Sequence, residues 1–151
     1  MRYGAIIPLS PYFSLMLSPL DDTNIPFHIK DLYHGLGEIT GRLRCADGVL
    51  LLEYRMKDAV FGVLRGRVRE LRIPFTDVEE IEFHDGWFRK RIAIRTRSIS
   101  SFADIPGAED GVLLLRIARR DAMRARAGIS HLKLLHAEQQ LRSLDAAWGG
   151  E

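Results

Sequence analysis

The fold of this chain is decided by residues 73–96, IPFTDVEEIEFHDGWFRKRIAIRT, in which an acidic and a basic alternating run flank Asp85-Gly86. An Asp-Gly pair between two such runs predicts a β-hairpin, because a type I′ turn needs positive φ at both central residues. The expected register contains four cross-strand pairs: Phe83 with Phe88, Ile81 with Lys90, Glu82 with Arg89, and Glu80 with Arg91. One side of this hairpin faces the core, and opposite charges meet on the other side.

The bulk composition indicates one globular domain. The chain has 151 residues, of which 46% are hydrophobic and 28% are charged. A domain of this length buries roughly 68–70% of its unfolded surface. The net charge of +2 is too small to indicate a nucleic-acid-binding protein. Cys45 is the only cysteine, so no internal disulfide can form, which fits a cytoplasmic protein, either free or peripheral to a membrane.

Residues 1–36 are predicted to form an apolar, proline-rich arm that precedes the main domain. Three prolines interrupt the run from Ala5 to Leu20, which excludes a regular helix there and also a membrane span of about 20 apolar residues. A short helix is expected at the end of the arm, on the spacing of Ile29, Leu32, Tyr33 and Leu36. The arm packs on this domain or a sister subunit, or it binds a partner or a membrane surface.

Cofactor, metal and catalytic sites are not indicated. The glycines at 35, 37 and 41 are spaced one residue away from the dinucleotide fingerprint and lack its strand and helix, so they are interpreted as turn and strand-entry glycines. His131 and His136 are five residues apart, whereas two ligands on one helical face are four apart. Because no acid-base or nucleophile motif occurs, no enzyme activity is predicted.

Other strands are predicted on both sides of the central hairpin. Residues 38–44 and 49–56 flank Asp47-Gly48, and a two-residue turn there pairs Leu43 with Leu52, Gly41 with Tyr54 and Ile39 with Met56. The remaining strands are expected at residues 67–73, ending at Pro74, at residues 102–105 and at residues 112–117.

The end of the chain is predicted to be a long helix from Ala122 almost to Trp148, capped by Asp121 and kinked or broken near Gly128. One apolar stripe consists of Ala122, Ala125, Ile129 and Leu132. A second set, here called the seam, repeats at alternating spacings of three and four and extends beyond a small domain: Leu134, Leu141, Leu144 and Trp148, with Ala137 between them. The seam predicts a homo-oligomer, and coverage by the N-terminal arm is the alternative.

A group of arginines forms a candidate anion-binding face. In the expected register two arginines of the strand after Asp85-Gly86 are paired with glutamates and the later ones are not. The unpaired residues and the arginines around the helix start are Arg95, Arg97, Arg119, Arg120 and Arg124. A solvated surface is the first interpretation of this face, and the alternative is an anionic partner such as phosphate, nucleic acid or lipid headgroups.

Five short segments resemble bacterial proteins with pleckstrin-homology-like (PH-like) domains of uncharacterised role. They are residues 50–55 (LLLEYR), 72–74 (RIP), 86–88 (GWF), 104–106 (DIP) and 117–121 (IARRD). The resemblance covers roughly residues 37–135. It implies that residues 37–151 form a seven-stranded antiparallel PH-like barrel of two packed sheets, capped by the C-terminal helix.

The resemblance implies a fold rather than a chemical activity. Lipid-binding members of this fold use a basic first hairpin loop, whereas the loop expected here, Ala46-Asp47-Gly48, is short and acidic. The sequence therefore predicts a non-catalytic interaction module that mediates protein-protein contact or homo-oligomerisation. The alternative is a domain that binds anions or an anionic membrane surface through its arginine-rich face.

Overall fold

The structure is a computed structural model that describes residues 23–58 and 60–149. Within these residues a mainly β domain is followed by one C-terminal α-helix, as predicted. The strands are β1 (Ile25–Leu32), β2 (Gly37–Ala46), β3 (Val49–Asp58), β4 (Leu64–Pro74), β5 (Val78–Asp85), β6 (Lys90–Thr96), β7 (Ala108–Glu109) and β8 (Val112–Ile117), and the helix is α1 (Ala122–Trp148). Residues 1–22 of the predicted arm lie outside the described residues.

The strands form one antiparallel sheet in the order β4-β3-β2-β1-β8-β6-β5, and β7 pairs with β8. Strand β1 pairs with β2 and also, at His28 and Arg116, with β8, and so joins the two groups of strands into one sheet. Strands β4 and β5 are the edges, and the sheet is not closed by hydrogen bonds between them in the described part of the chain.

Strand β1 replaces the helix predicted from Ile29 to Leu36. Residues 25, 27 and 29 are buried and alternate with more exposed ones, so period 2 describes this segment better than the helical spacing. The strand ends in a turn in which Tyr33, His34 and Gly35 have φ of 51°, 58° and 86°. The sheet therefore begins at Ile25 rather than at Gly37, and its first hairpin loop is residues 33–36 rather than the Asp47-Gly48 turn.

The β2–β3 hairpin confirms the register predicted from Asp47-Gly48. Leu43 pairs with Leu52, and the pairing continues from Ala46 and Val49 to Gly37 and Asp58. Asp47 and Gly48 have φ of 50° and 73°, the positive values that a type I′ turn requires.

The β5–β6 hairpin exists, but its predicted register is wrong. The observed partners are Phe83 with Ile92, Ile81 with Ile94, Glu82 with Ala93, Glu80 with Arg95, and Asp85 with Lys90. Residues 86–89 therefore form a four-residue loop. This register places apolar side chains opposite each other in the core, whereas the predicted one would have set Lys90 against buried Ile81. The burial of the core residues outweighed the local turn signal.

The segment between β6 and β8 contains no strand at residues 102–105, contrary to the prediction. Ile99–Phe102 forms a single 3-10 turn, and the side chains of Phe102 and Ile105 are buried in the hydrophobic core. The Tyr54 hydroxyl donates a hydrogen bond to the Asp104 carbonyl oxygen at 2.6 Å, which fixes this segment over the core. Consecutive turns satisfy the backbone here in place of a strand partner.

Helix α1 follows a short 3-10 turn at Arg119–Asp121 and continues through Gly128 without the predicted break. Asp121 is the N-cap residue, but its side chain makes no capping hydrogen bond. Residues 125, 129 and 132 are buried against the sheet, as their stripe predicts. A Cβ at Gly128 would lie 2.8 Å from Ile25 Cδ1, so the glycine allows close packing of the helix on β1.

Candidate functional site

The loop between β5 and β6 holds two aromatic side chains in solvent. Trp87 is 80% exposed and Phe88 is 85% exposed. Their rings contact each other edge to face, with centroids 6.4 Å apart. Large aromatic side chains gain free energy when they leave water, so an adjacent exposed pair at the end of a hairpin is typical of a binding surface.

The base of this loop is fixed by polar contacts. The Asp85 carboxylate forms ion pairs with Lys90 Nζ and Arg126 Nη2, which connects the hairpin to the second turn of α1. Arg119 Nη2 donates a hydrogen bond to the Trp87 carbonyl oxygen at 3.3 Å. The Gly86 amide donates to the Arg89 carbonyl oxygen at 3.1 Å, and a Cβ at Gly86 would lie 2.7 Å from that oxygen. These contacts hold the loop that carries Trp87 and Phe88 against the start of α1.

The surface around the aromatic pair is strongly basic. Residues 85–91 and 119–126 contain seven lysines and arginines and only two carboxylates, Asp85 and Asp121. Asp85 is paired as described, and Asp121 lies 3.7 Å from Arg120 Nε. Within the described residues, Arg89, Arg91 and Arg124 form no ion pair with a carboxylate. We call this surface the basic-aromatic tip: Trp87, Phe88, Arg89, Arg91, Arg119, Arg120 and Arg124.

The tip contains three of the five arginines that the sequence nominated for anion binding, namely Arg119, Arg120 and Arg124. The other two, Arg95 and Arg97, lie towards and beyond the opposite end of β6, about 15 to 25 Å away at about 3.3 Å per strand residue. Arg95 is also not unpaired as expected, because its Nε lies 3.7 Å from Glu80 Oε2. Arg95 and Arg97 lie far from the helix start because β6 is antiparallel to β8, with Lys90 opposite Ile117 and Arg95 opposite Val112. The contact between Arg95 and Glu80 follows from the changed register of the hairpin.

Sequence reasoning missed four members of the tip: Trp87, Phe88, Arg89 and Arg91. It placed Phe88 opposite Phe83 and paired the two arginines with glutamates, which concealed the loop. The signal was present, however, because Trp87 and Phe88 directly precede three consecutive basic residues. Aromatic residues next to such a run are typical of an anionic interface.

A cleft of about 850 Å³ continues from the tip along the outer side of β1 and β8. It exists because these strands pair only at His28 and Arg116. Its lining includes Phe88, Arg89, Arg91 and Lys30. Across the cleft, Arg116 Nη2 lies 3.2 Å from Asp31 Oδ2. The cleft therefore extends the cationic surface but also contains three carboxylates, Asp31, Glu109 and Asp110, which oppose anion binding.

A second exposed apolar region lies away from the tip, in the β1–β2 and β3–β4 loops. These loops are neighbours because Gly37 pairs with Asp58. Exposed side chains here include Tyr33, Leu36 and Phe61. Residues 33–36 and 60–63 contain no lysine, arginine, aspartate or glutamate, so this region lacks the charge of the tip.

The seam lies on the side of α1 that faces away from the sheet. Leu134, Leu141, Leu144 and Trp148 are all exposed. Ala125, Ile129 and Leu132 are buried on the other side of the helix, at helical positions roughly opposite the seam at about 100° per residue. The helix therefore has two apolar faces, and the sheet covers one of them.

The described residues contain no group of three or more His, Cys, Asp or Glu side chains placed to hold a metal ion. None of the helical segments in this part of the chain combines the length and the apolar character that a bilayer span needs. Comparisons with protein family models, with curated proteins and with solved structures find no match to the chain.

Proposed function

We propose that this protein is a non-catalytic PH-like interaction module that docks on an anionic membrane surface through the basic-aromatic tip. The observation that carries this proposal is the exposure of Trp87 and Phe88 beside Arg89 and Arg91, which form no ion pair with a carboxylate in the part of the chain that the structure describes. Tryptophan and phenylalanine enter the region between headgroups and acyl chains, while arginines contact anionic lipid headgroups. Each cation near such a surface contributes about 1 kcal/mol of attraction.

The PH-like part of the proposal is supported by the order of the strands and by the helix. Seven strands lie along one antiparallel path, with β1 between the two hairpin-connected halves, and the last element is a helix packed on the sheet. The first hairpin loop, residues 33–36, contains no lysine or arginine. This loop is therefore not the basic first loop that binds inositide headgroups. In our proposal the tip takes its place as the surface that contacts anionic lipids.

The test is binding to vesicles of phosphatidylcholine with and without phosphatidylserine. We expect binding only when phosphatidylserine is present, and weaker binding as salt rises, because surface attraction is screened. Phe88→Ala should weaken partitioning by about tenfold, since it removes most of an inserted aromatic side chain. Arg91→Gln should weaken it by about fivefold, which corresponds to the loss of one headgroup contact.

Two matched variants act as controls. Phe61→Ala removes another exposed phenylalanine, from the uncharged loop region, and Arg67→Gln removes an exposed charge from edge strand β4. Both should bind vesicles like the unmodified protein. The proposal is wrong if Phe61→Ala has the larger effect, if binding does not depend on phosphatidylserine, or if an oligonucleotide binds the tip and the vesicles do not.

A further inference from the structure

The outward face of α1 carries a longer apolar repeat than the seam alone. Starting at Met123, positions recur at alternating spacings of four and three up to Trp148, and every one of them is exposed and uncharged. The complete set is Met123, Ala127, Ser130, Leu134, Ala137, Leu141, Leu144 and Trp148. A repeat of 3.5 residues held over this length is the pattern of a helix that packs along a second helix.

We infer that this face binds a second copy of the chain as an antiparallel helix pair. The sizes of the side chains along the repeat favour this occupant. In the antiparallel arrangement, Leu144 of one protomer packs against Ala127 of the partner subunit, and Leu141 packs against Ser130 of the partner subunit. Leu134 meets Ala137 of the partner subunit, so a large residue faces a small one in each of these layers, as close packing requires.

A parallel pair fits this sequence poorly. Each position would then meet its own copy, so that Ala127 and Ser130 would leave hollow layers at one end and two Trp148 side chains would crowd together at the other. Other proteins with an apolar helix could also occupy the face. The self-complementary order of large and small residues, however, specifies this chain as its own partner.

The charges beside the repeat favour the same direction. The flanking residues in the first half of the helix are Arg124, Arg126, His131 and Lys133, and those in the second half are Glu138, Gln140, Asp145 and Ala147. An antiparallel pair sets each basic half against an acidic half. It brings Arg124 next to Asp145 of the partner subunit, twice in each dimer, because the arrangement has twofold symmetry.

The sheet leaves this face free. The side chains that hold α1 on the sheet lie on its other side, including His136, whose Nε2 lies 2.8 Å from the Val78 carbonyl oxygen. Two protomers can therefore pair back to back, with the helices in the centre and the sheets outside. The inference does not rest on the proposed membrane function, because its test contains no lipid.

The experiment is sedimentation velocity of the full chain over a wide range of concentration. We expect a reversible monomer-dimer equilibrium. Leu141→Glu should weaken it by more than about tenfold, because a carboxylate would be buried in the centre of the helix pair. Ala146→Glu adds the same charge to the same helix outside the repeat, and it should leave the equilibrium unchanged.

A charge exchange tests the direction of the helices. Arg124→Asp and Asp145→Arg should each weaken the dimer, and the double variant should restore it, because residues 124 and 145 meet only in the antiparallel arrangement. Circular dichroism checks that every variant is folded. The inference is overturned by a monomer at all concentrations, by a dimer that Leu141→Glu leaves intact, or by single charge variants that the double variant does not rescue.

Discussion

At the scale of single residues, the core depends on a few close contacts that cannot be read from hydrophobic pattern alone. Gly41 is an example: a Cβ there would lie 2.4 Å from the Glu53 carbonyl oxygen and 2.6 Å from Phe27 Cζ. The sequence identifies it as a strand glycine rather than part of a nucleotide-binding loop. Only the packing of β2 between β1 and β3 explains why a side chain does not fit. Such contacts join residues far apart in the chain, which no local motif encodes.

The Tyr54 hydroxyl gives a direct test at this scale. Tyr54 is 2% exposed, and its hydrogen bond to the Asp104 carbonyl oxygen connects β3 to the segment that contains the buried residues Phe102 and Ile105. Tyr54→Phe should lower the free energy of unfolding by about 1 to 2 kcal/mol, because it leaves a part-buried carbonyl without its donor. Urea denaturation measures this change. Tyr33→Phe, at an exposed tyrosine, should have no effect, and equal effects of the two variants would contradict the role of the bond.

At the scale of elements, three Asp-Gly pairs show when this dipeptide predicts a two-residue hairpin turn and when it does not. Asp47-Gly48 and Asp110-Gly111 both adopt positive φ and close two-residue turns, and the second of these was not predicted. Neither residue of Asp85-Gly86 has positive φ, although it is flanked by the clearest alternating runs. There the burial of Ile92 and Ile94 and the ion pairs of Asp85 determine the loop. The existence of the two long hairpins was predictable, and their register was predictable only where turn and core agreed.

Helix α1 divides into a part that stabilises the fold and a part that does not. Residues 141–149 are all exposed, whereas Leu132 is fully buried. Truncation after Gln140 should leave the free energy of unfolding within about 0.5 kcal/mol of the full chain at low protein concentration. Truncation after Ser130 should lower it by about 3 kcal/mol or more, because it opens the core at Leu132. Similar stabilities for the two truncated chains, measured by urea denaturation, would show that the helix does not complete the core.

At the scale of the whole molecule, the sequence predicted a β domain with a C-terminal helix but not the extent of the sheet. Strand β1 was missed because Ile29, Leu32, Tyr33 and Leu36 also fit a helical spacing, and the competing alternation begins only at Ile25. Without β1 the two hairpin groups appear as separate sheets. The candidate arginines could be divided into two groups only once the pairing of β6 with β8 was known. Long-range pairing, rather than composition or local pattern, determines both features.

The two tryptophans allow the membrane and dimer proposals to be measured separately in one protein. Trp87 lies in the basic-aromatic tip and Trp148 at the end of the outward helix face, and both are exposed in the single chain. Indole emission shifts to shorter wavelength when the ring leaves water.

In Trp148→Phe, only Trp87 remains, so anionic vesicles should shift the emission, while raising the protein concentration should not. In Trp87→Phe, concentration should shift the emission of Trp148, which packs near Met123 of the partner subunit, and vesicles added to dilute protein should not. A vesicle response from Trp148 alone would place the lipid contact on the helix and contradict both assignments, because each surface contains a different tryptophan.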